Sequence, residues 1–379
     1  MQELNPQTNE VTDASAAAET ASSEMSVSPT ASAPKITLDQ LVNLCMEKEA
    51  SDVHFREGGR PALRVGGKIM FIENVEALSK EEVETMAAEL LTQDEMIRLD
   101  QDREIDFSYT HKNGVNFRVN VFYQRGKLAG VMRMISKNIP NLDELGVPEV
   151  MKNFLDLREG LILICGGVGS GKSTTTQSML KHINDHFVKH ILTIENPIEH
   201  FFEDNKSMFT QREVGKDTMD IKSALQSAVR EDANVVMVSE INNYETLEQI
   251  LNLVETGHLV ISSMPTRNVS QTLEHMIRFY PEALREQAQE RIATNLVTIM
   301  AQDLVQRQDQ AGLVGAFEVM IKNQSIEQII RRGNLVQLRT AMQAGAQEGM
   351  ITMDSYAYQL AEQGVITQDQ VNEFIQNEE

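Results

Sequence analysis

The residues Gly166-Gly167-Val168-Gly169-Ser170-Gly171-Lys172-Ser173 fit the spacing G-x-x-x-x-G-K-[ST] with no mismatch. Glycines in that pattern let backbone N–H groups close around a phosphate, and the lysine after them reaches the β- and γ-phosphates of a nucleotide. A hydroxyl in the Ser173 position ligates Mg2+ in such loops. This chemistry requires a strand before the loop and a helix after it. The apolar run Leu161-Ile162-Leu163-Ile164-Cys165 supplies the first, and Thr174-Thr175-Thr176-Gln177-Ser178-Met179-Leu180 can open the second. Gly166, Gly169, Ser170, Gly171, Lys172, Ser173 and Thr174 are therefore the candidate contacts to a nucleoside triphosphate.

The elements that must position this loop fall into two groups. Residues 1–35 are rich in Ser, Thr, Ala and Glu and carry no Phe, Trp or Tyr, so this acidic tail is expected to be disordered. From Ile36 to residue 137 a small α+β domain is predicted. Thr37 caps a helix through Met46, and strands follow at 52–55, 62–65 and 68–72, with Gly66-Gly67 as a hairpin turn. One helical stretch is predicted from Ser79 to about Leu99, then strands near 105–110, 116–123 and 126–136. Residues 138–147, around Asn138-Ile139-Pro140-Asn141, read as a linker. Beyond it, strands at 160–165, 190–195, 234–239 and 258–263 alternate with helices at 172–185, 219–230, 244–254, 268–278 and 281–294. That alternation predicts a parallel sheet covered by helices, over 148–379, with a helical final part at about 325–375.

Composition removes several classes of function. A net charge of −22 over 379 residues argues against nucleic acid as a direct ligand, because phosphate backbones call for clustered Lys and Arg. Two cysteines, Cys45 and Cys165, cannot build a four-cysteine zinc site, and each reads as a buried thiol. No window reaches the ~20 apolar residues of a membrane span, and no apolar signal segment opens the chain, so a cytoplasmic protein is expected.

Outside the loop, Ala50-Ser51-Asp52-Val53-His54, Phe117-Arg118-Val119-Asn120, Leu192-Thr193-Ile194-Glu195-Asn196-Pro197-Ile198-Glu199, Gln211-Arg212-Glu213-Val214 and Glu255-Thr256-Gly257-His258-Leu259 stand in a distinctive order. Together they resemble the type IV pilus retraction ATPases, the PilT/PilU group of the secretion ATPase superfamily, from about residue 37 to 375. The resemblance implies a PAS-like N-terminal domain, a RecA-like ATPase domain, ATP with Mg2+ between them, and a hexamer, either of one chain or mixed with a paralogous retraction ATPase. It further implies docking on the pilus inner-membrane platform protein, at the cytoplasmic face of the inner membrane.

Residue by residue, the resemblance makes Glu195 the glutamate that polarises the attacking water, at the end of the apolar strand His190–Ile194. Glu240, after Val235–Ser239, becomes the carboxylate that holds Mg2+ through water, alongside Ser173. Arg118 and Arg133 become the arginines that reach the γ-phosphate, with Arg125 between them as a further possibility. The sequence also departs from the family pattern. Asn196 stands where an Asp is usual, Pro265 where a His is usual, and Asn242 where an Arg is usual. In the helical segment Ser325–Arg331 only the last arginine is kept. These changes keep the nucleotide cradle and both glutamates, so ATP binding is expected to persist with slow or partner-dependent hydrolysis. The leading expectation is a motor subunit that powers or assists pilus retraction; the alternative is a catalytically weakened nucleotide-binding accessory subunit.

Overall fold

The computed structural model describes residues 35–136 and 138–376. The acidic tail, as far as residue 34, lies outside the described residues.

The first unit begins with α1 (Leu38–Glu47), whose N-terminus is closed by a reciprocal capping box between Thr37 and Gln40. Leu38, Leu41, Val42 and Cys45 recur at helical spacing and are buried. Strands β1 (Asp52–Arg56), β2 (Ala62–Val65) and β3 (Lys68–Phe71) follow. The β2–β3 hairpin turns on Gly66 and Gly67, both at positive φ (54° and 78°), where residues with a Cβ are disfavoured. Next come α2 (Lys80–Leu90) and α3 (Gln93–Asp102), then β4 (Glu104–Thr110), β5 (Asn116–Gln124) and β6 (Lys127–Met134). The expected single helix over 79–99 is two. Thr92 adopts an extended conformation and starts α3 with its own capping box to Glu95. The strands form an antiparallel six-stranded sheet in the order β3-β2-β1-β6-β5-β4, whose core includes Phe55, Phe117, Val119 and Met132.

Leu142 and Val147 are already buried in the second core, so the chain joins that core within the segment read as a linker. The second unit contains β7 (Gly160–Cys165), α4 (Lys172–His186), β8 (His190–Glu195), β9 (Met208–Glu213), α5 (Ile221–Ala228), β10 (Val235–Val238) and α6 (Tyr244–Glu255). It continues with β11 (Leu259–Met264), α7 (Val269–Arg278), α8 (Arg285–Asn295), β12 (Leu296–Gln306) and β13 (Leu313–Ile321). Helices α9 (Gln324–Arg332), α10 (Leu338–Ala344), α11 (Met353–Glu362) and α12 (Gln368–Gln376) end it. The seven-stranded sheet has the order β13-β12-β7-β11-β10-β8-β9, parallel except for the β12–β13 pair.

Every residue of β7, β10 and β11 is buried, as expected for strands covered on both faces. Each buried Ile, Leu or Val there stabilises the fold by about 1.5–3 kcal/mol relative to exposure. Strands β9, β12 and β13 are additions to the four strands expected. β12 follows α8 directly, with no Gly or Pro between Asn295 and Leu296 to mark the change of element. Cys45 and Cys165 are both buried, and burial pushes their thiols up to about 11 and about 12, so neither is a nucleophile at neutral pH.

Candidate nucleotide site

In a parallel sheet the loops after the strands' C-terminal ends form the ligand-binding edge. The loop Gly166–Gly171 lies there, between β7 and α4. Gly166, Gly169 and Gly171 have φ of 154°, 82° and 89°. A Cβ on Gly166 would come within 2.3 Å of the Gln302 carbonyl and 2.4 Å of the Ser170 hydroxyl, so only glycine allows the loop to close there. Gly171 stands at the N-cap of α4 with no side chain capping the helix, which leaves first-turn N–H groups available to an anion. The Lys172 ammonium donates to the carbonyls of Gly166 and Gly167, at 2.8 Å each. Burial lowers its pKa from the ordinary value, opposed by the nearby Glu240 carboxylate. The Ser170 hydroxyl is buried without a hydrogen-bond partner, an orphaned donor that a phosphate oxygen would satisfy.

The loop opens into a cleft of about 390 Å3 that also takes in Ser173, Glu195, Glu240 and, from the first sheet, Arg118. Glu195 ends β8 and is almost fully buried. Its carboxylate accepts from the Thr193 hydroxyl at 2.7 Å, the Glu199 N–H at 3.2 Å and the Gln211 amide at 3.3 Å. Burial outweighs these bonds and raises its pKa to about 7, into the range where a carboxylate exchanges protons at neutral pH. Glu240 lies two residues beyond β10 and is half-buried. Its strand end is fixed by bonds from the Ser239 N–H to the Ile194 carbonyl (3.1 Å) and from the Ser263 hydroxyl to the Ser239 carbonyl (2.6 Å).

The arginines separate. Arg118, on β5, reaches the cleft and lies 3.5 Å from the Glu199 carboxylate. Arg133 is its cross-strand partner on β6, but its guanidinium is 2.8 Å from the buried Asp52 carboxylate, which Arg64 also approaches at 3.4 Å. Arg133 is not among the residues lining the cleft, nor is Arg125, which occupies the β5–β6 turn at φ 52°. Thr174 is exposed in the first turn of α4, also outside the lining. Asn196 and Asn242 line the cleft, whereas Pro265 is exposed just past β11 and does not. His258 is held at the opposite end of β11 by the Leu253 carbonyl, 2.9 Å from its Nδ1.

Three supporting residues escaped the sequence reading, whereas Glu199 was legible as a second carboxylate near Asn196. Thr193 and Gln211 hold Glu195, and Gln302 on β12 accepts from the Thr175 hydroxyl at 2.7 Å beneath the loop. Thr193 was findable, since residues two apart on a strand share a face. Gln302 was not, because β12 was itself unread. Glu199 has two functions at once, its N–H on Glu195 and its carboxylate facing Arg118.

Magnesium fits this donor set in a limited sense. Among the described residues no cluster of three or more His, Cys, Asp or Glu could hold a metal ion alone. A hydroxyl (Ser173) and one carboxylate (Glu240) are what a magnesium ion needs when phosphates and water complete its octahedron.

A model of the type II/IV secretion system proteins matches residues 30–373. The chain is 33% identical over 329 residues to the type IV pilus ATPase PilU of Pseudomonas aeruginosa, covering 87% of this chain and 86% of that protein. It is 33% identical over 336 residues to PilT of the same organism, a type IV pilus retraction ATPase, covering 89% and 97%. The crystal structure of the pilus retraction motor PilT with bound ADP superposes with a TM-score of 0.82 at 35% identity, covering 89% of this chain and 97% of that one. The chain belongs to the type II/IV secretion system protein family, in the branch of the pilus retraction ATPases PilT and PilU.

Proposed function

We propose that this chain is an ATP-hydrolysing P-loop subunit of a motor that retracts type IV pili and so drives twitching motility. The observation that carries this reading is one cleft in which Lys172, Glu195 and Glu240 of the second unit meet Arg118 of the antiparallel sheet. The first-turn amides of α4, the Ser170 hydroxyl and Lys172 bind the phosphates. Glu195, whose pKa burial raises to about 7, accepts in its ionised form a proton from the attacking water. Arg118 supplies fixed positive charge toward the γ-phosphate, and Arg133 is a reserve one strand further away. Ser173 and Glu240 would hold Mg2+, which would supply neutralisation of charge on the phosphate oxygens.

Asn196 and Asn242 leave the cleft less charged than the family pattern, which slows turnover without removing a required group. The assembled form is a ring of six, of this chain alone or mixed with a paralogous ATPase. It docks on the pilus inner-membrane platform protein from the cytoplasm and makes no direct contact with nucleic acid. No helix among the described residues is long and apolar enough to cross a membrane. The PAS-like character of the first domain belongs to the same proposal.

The cellular test is replacement of the gene by Lys172→Ala in the host. Loss of pilus retraction and twitching is expected. Unchanged retraction, with the variant present at normal levels, would contradict the motor reading.

A further inference from the structure

Strand β4 is the outer strand of the first sheet, and its free edge faces the second unit. An unpaired edge amide in a buried setting needs a partner. Glu213, the last residue of β9 and about 1% exposed, supplies it: Oε1 accepts from the Ser108 N–H at 3.0 Å. Its other oxygen, Oε2, accepts from the Ile198 N–H at 3.1 Å. Ile198 lies in the loop that follows Glu195, and the next residue, Glu199, donates its N–H to the Glu195 carboxylate. Val214, next to Glu213, donates to the Glu195 carbonyl at 2.8 Å. The same contact surface is buttressed by Lys216, which donates to the Ser108 carbonyl at 3.2 Å, and by Arg98 of α3, which donates to the Gly215 carbonyl at 2.7 Å.

We propose that Glu213 is a positioning residue that ties the seating of the first domain to the placement of Glu195. Its two carboxylate oxygens are divided between the domains. Withdrawal of β4 takes the Ser108 N–H from Oε1 and opens the carboxylate to water, which frees it to swing away from Ile198. The loop Asn196–Glu199 then loosens, and with it the Glu199 N–H that orients Glu195. Seating of the first domain thus brings Arg118 to the cleft and fixes the water-directing glutamate in one movement, so hydrolysis waits for domain closure. The inference rests on the ATPase reading given above.

The test uses the full chain and two variants. Glu213→Gln presents one acceptor and one donor where two acceptors are needed. Glu213→Asp keeps the charge but is one methylene too short to meet both N–H groups. Both are expected to lower kcat by about tenfold or more, with nucleotide Kd within about twofold of wild type. Full rescue by Asp would mean that only the charge matters and would overturn the proposal. So would a parallel loss of nucleotide affinity and thermal stability, which marks a merely structural role. Amide hydrogen exchange gives a readout independent of activity. The segments carrying Ser108 and Ile198 should lose protection together in either variant that folds; retention of protection at Ile198 would overturn the coupling. A wild-type chain with no turnover would sink the ATPase reading, and the exchange result would still decide whether Glu213 links the two segments.

Discussion

The two sheets solve the problem of holding functional groups in opposite ways. In the parallel sheet, β7, β10 and β11 are buried at every position, and the chemistry sits just past the strand ends. In the antiparallel sheet, β5 alternates, β3 is exposed throughout, and the residue that reaches the cleft comes from the middle of a strand, at Arg118. Lys172 and the backbone of Glu195 are therefore anchored by the buried core of the parallel sheet, while the Glu195 carboxylate also depends on the loop that Glu213 ties to β4. Arg118 is fixed only by how the first sheet is seated against the second. The site combines a permanent half with a docked half, a division that suits an enzyme whose hydrolysis is coupled to movement.

Breaking the permanent half should have the largest effect. Lys172→Ala is expected to reduce hydrolysis by about a thousandfold and to weaken nucleotide binding, because it removes the one cation within the loop. Calorimetric titration with ADP beside a turnover assay checks both. The next largest effect is on stability. Ile162→Ala, in the middle of β7, should cost about 3 kcal/mol, while Ile69→Ala, on β3 and 45% exposed, should stay within about 0.5 kcal/mol. Equal midpoints in urea for the two variants would erase the distinction between the sheets.

The arginine pair sharpens the comparison within the docked half. Arg118→Ala should lower kcat by about thirtyfold. Arg133→Ala, whose partner is Asp52 and not the cleft, should lower it by less than about threefold. A larger loss from Arg133 would place it, and not Arg118, at the reacting phosphate.

The smallest effect is a linkage of Glu195 to pH. Its folded pKa is raised from 4.5 to about 7, so the folded state holds the proton more tightly than the unfolded one. Stability from this group is fully present below pH 4.5 and is lost as pH rises through about 7. Glu195→Gln should therefore be more stable than wild type above pH 7, by about 1 kcal/mol. The gain stays below that of the full shift because the Gln amide offers one acceptor oxygen where the carboxylate offers two, so either the Glu199 N–H or the Thr193 and Gln211 donors lose their partner. The gap should close toward pH 4.5 in thermal melts, and a gap that widens on acidification would show that burial does not govern this carboxyl.

Much of this was legible in the sequence because continuous apolar runs mark buried parallel strands. Gly160–Cys165 and His190–Glu195 fall at the expected residues, and they alone place Lys172 and Glu195 on one edge. Hairpin and capping chemistry was equally readable at Gly66-Gly67 and Thr37. The break at Thr92 was written in its capping box but hidden by continuous helix formers on either side. β12 and β13 were missed because no turn residue announces the first, and with them went Gln302. What sequence does not encode locally is who meets whom across the domains. Arg118 and Arg133 are equivalent as text, and only the seating of the sheet sends one to the cleft and the other to Asp52. Glu213 shows the same limit: nothing in its neighbourhood along the chain points to Ser108, 105 residues earlier.

The most direct test of the account is steady-state Mg-ATP hydrolysis by the purified chain beside Glu195→Gln, with nucleotide affinity measured on both. The account predicts wild-type turnover about a hundredfold or more above the variant, at unchanged affinity. Equal rates in the two proteins would contradict it, and the cleft would then be a nucleotide-binding site without hydrolysis.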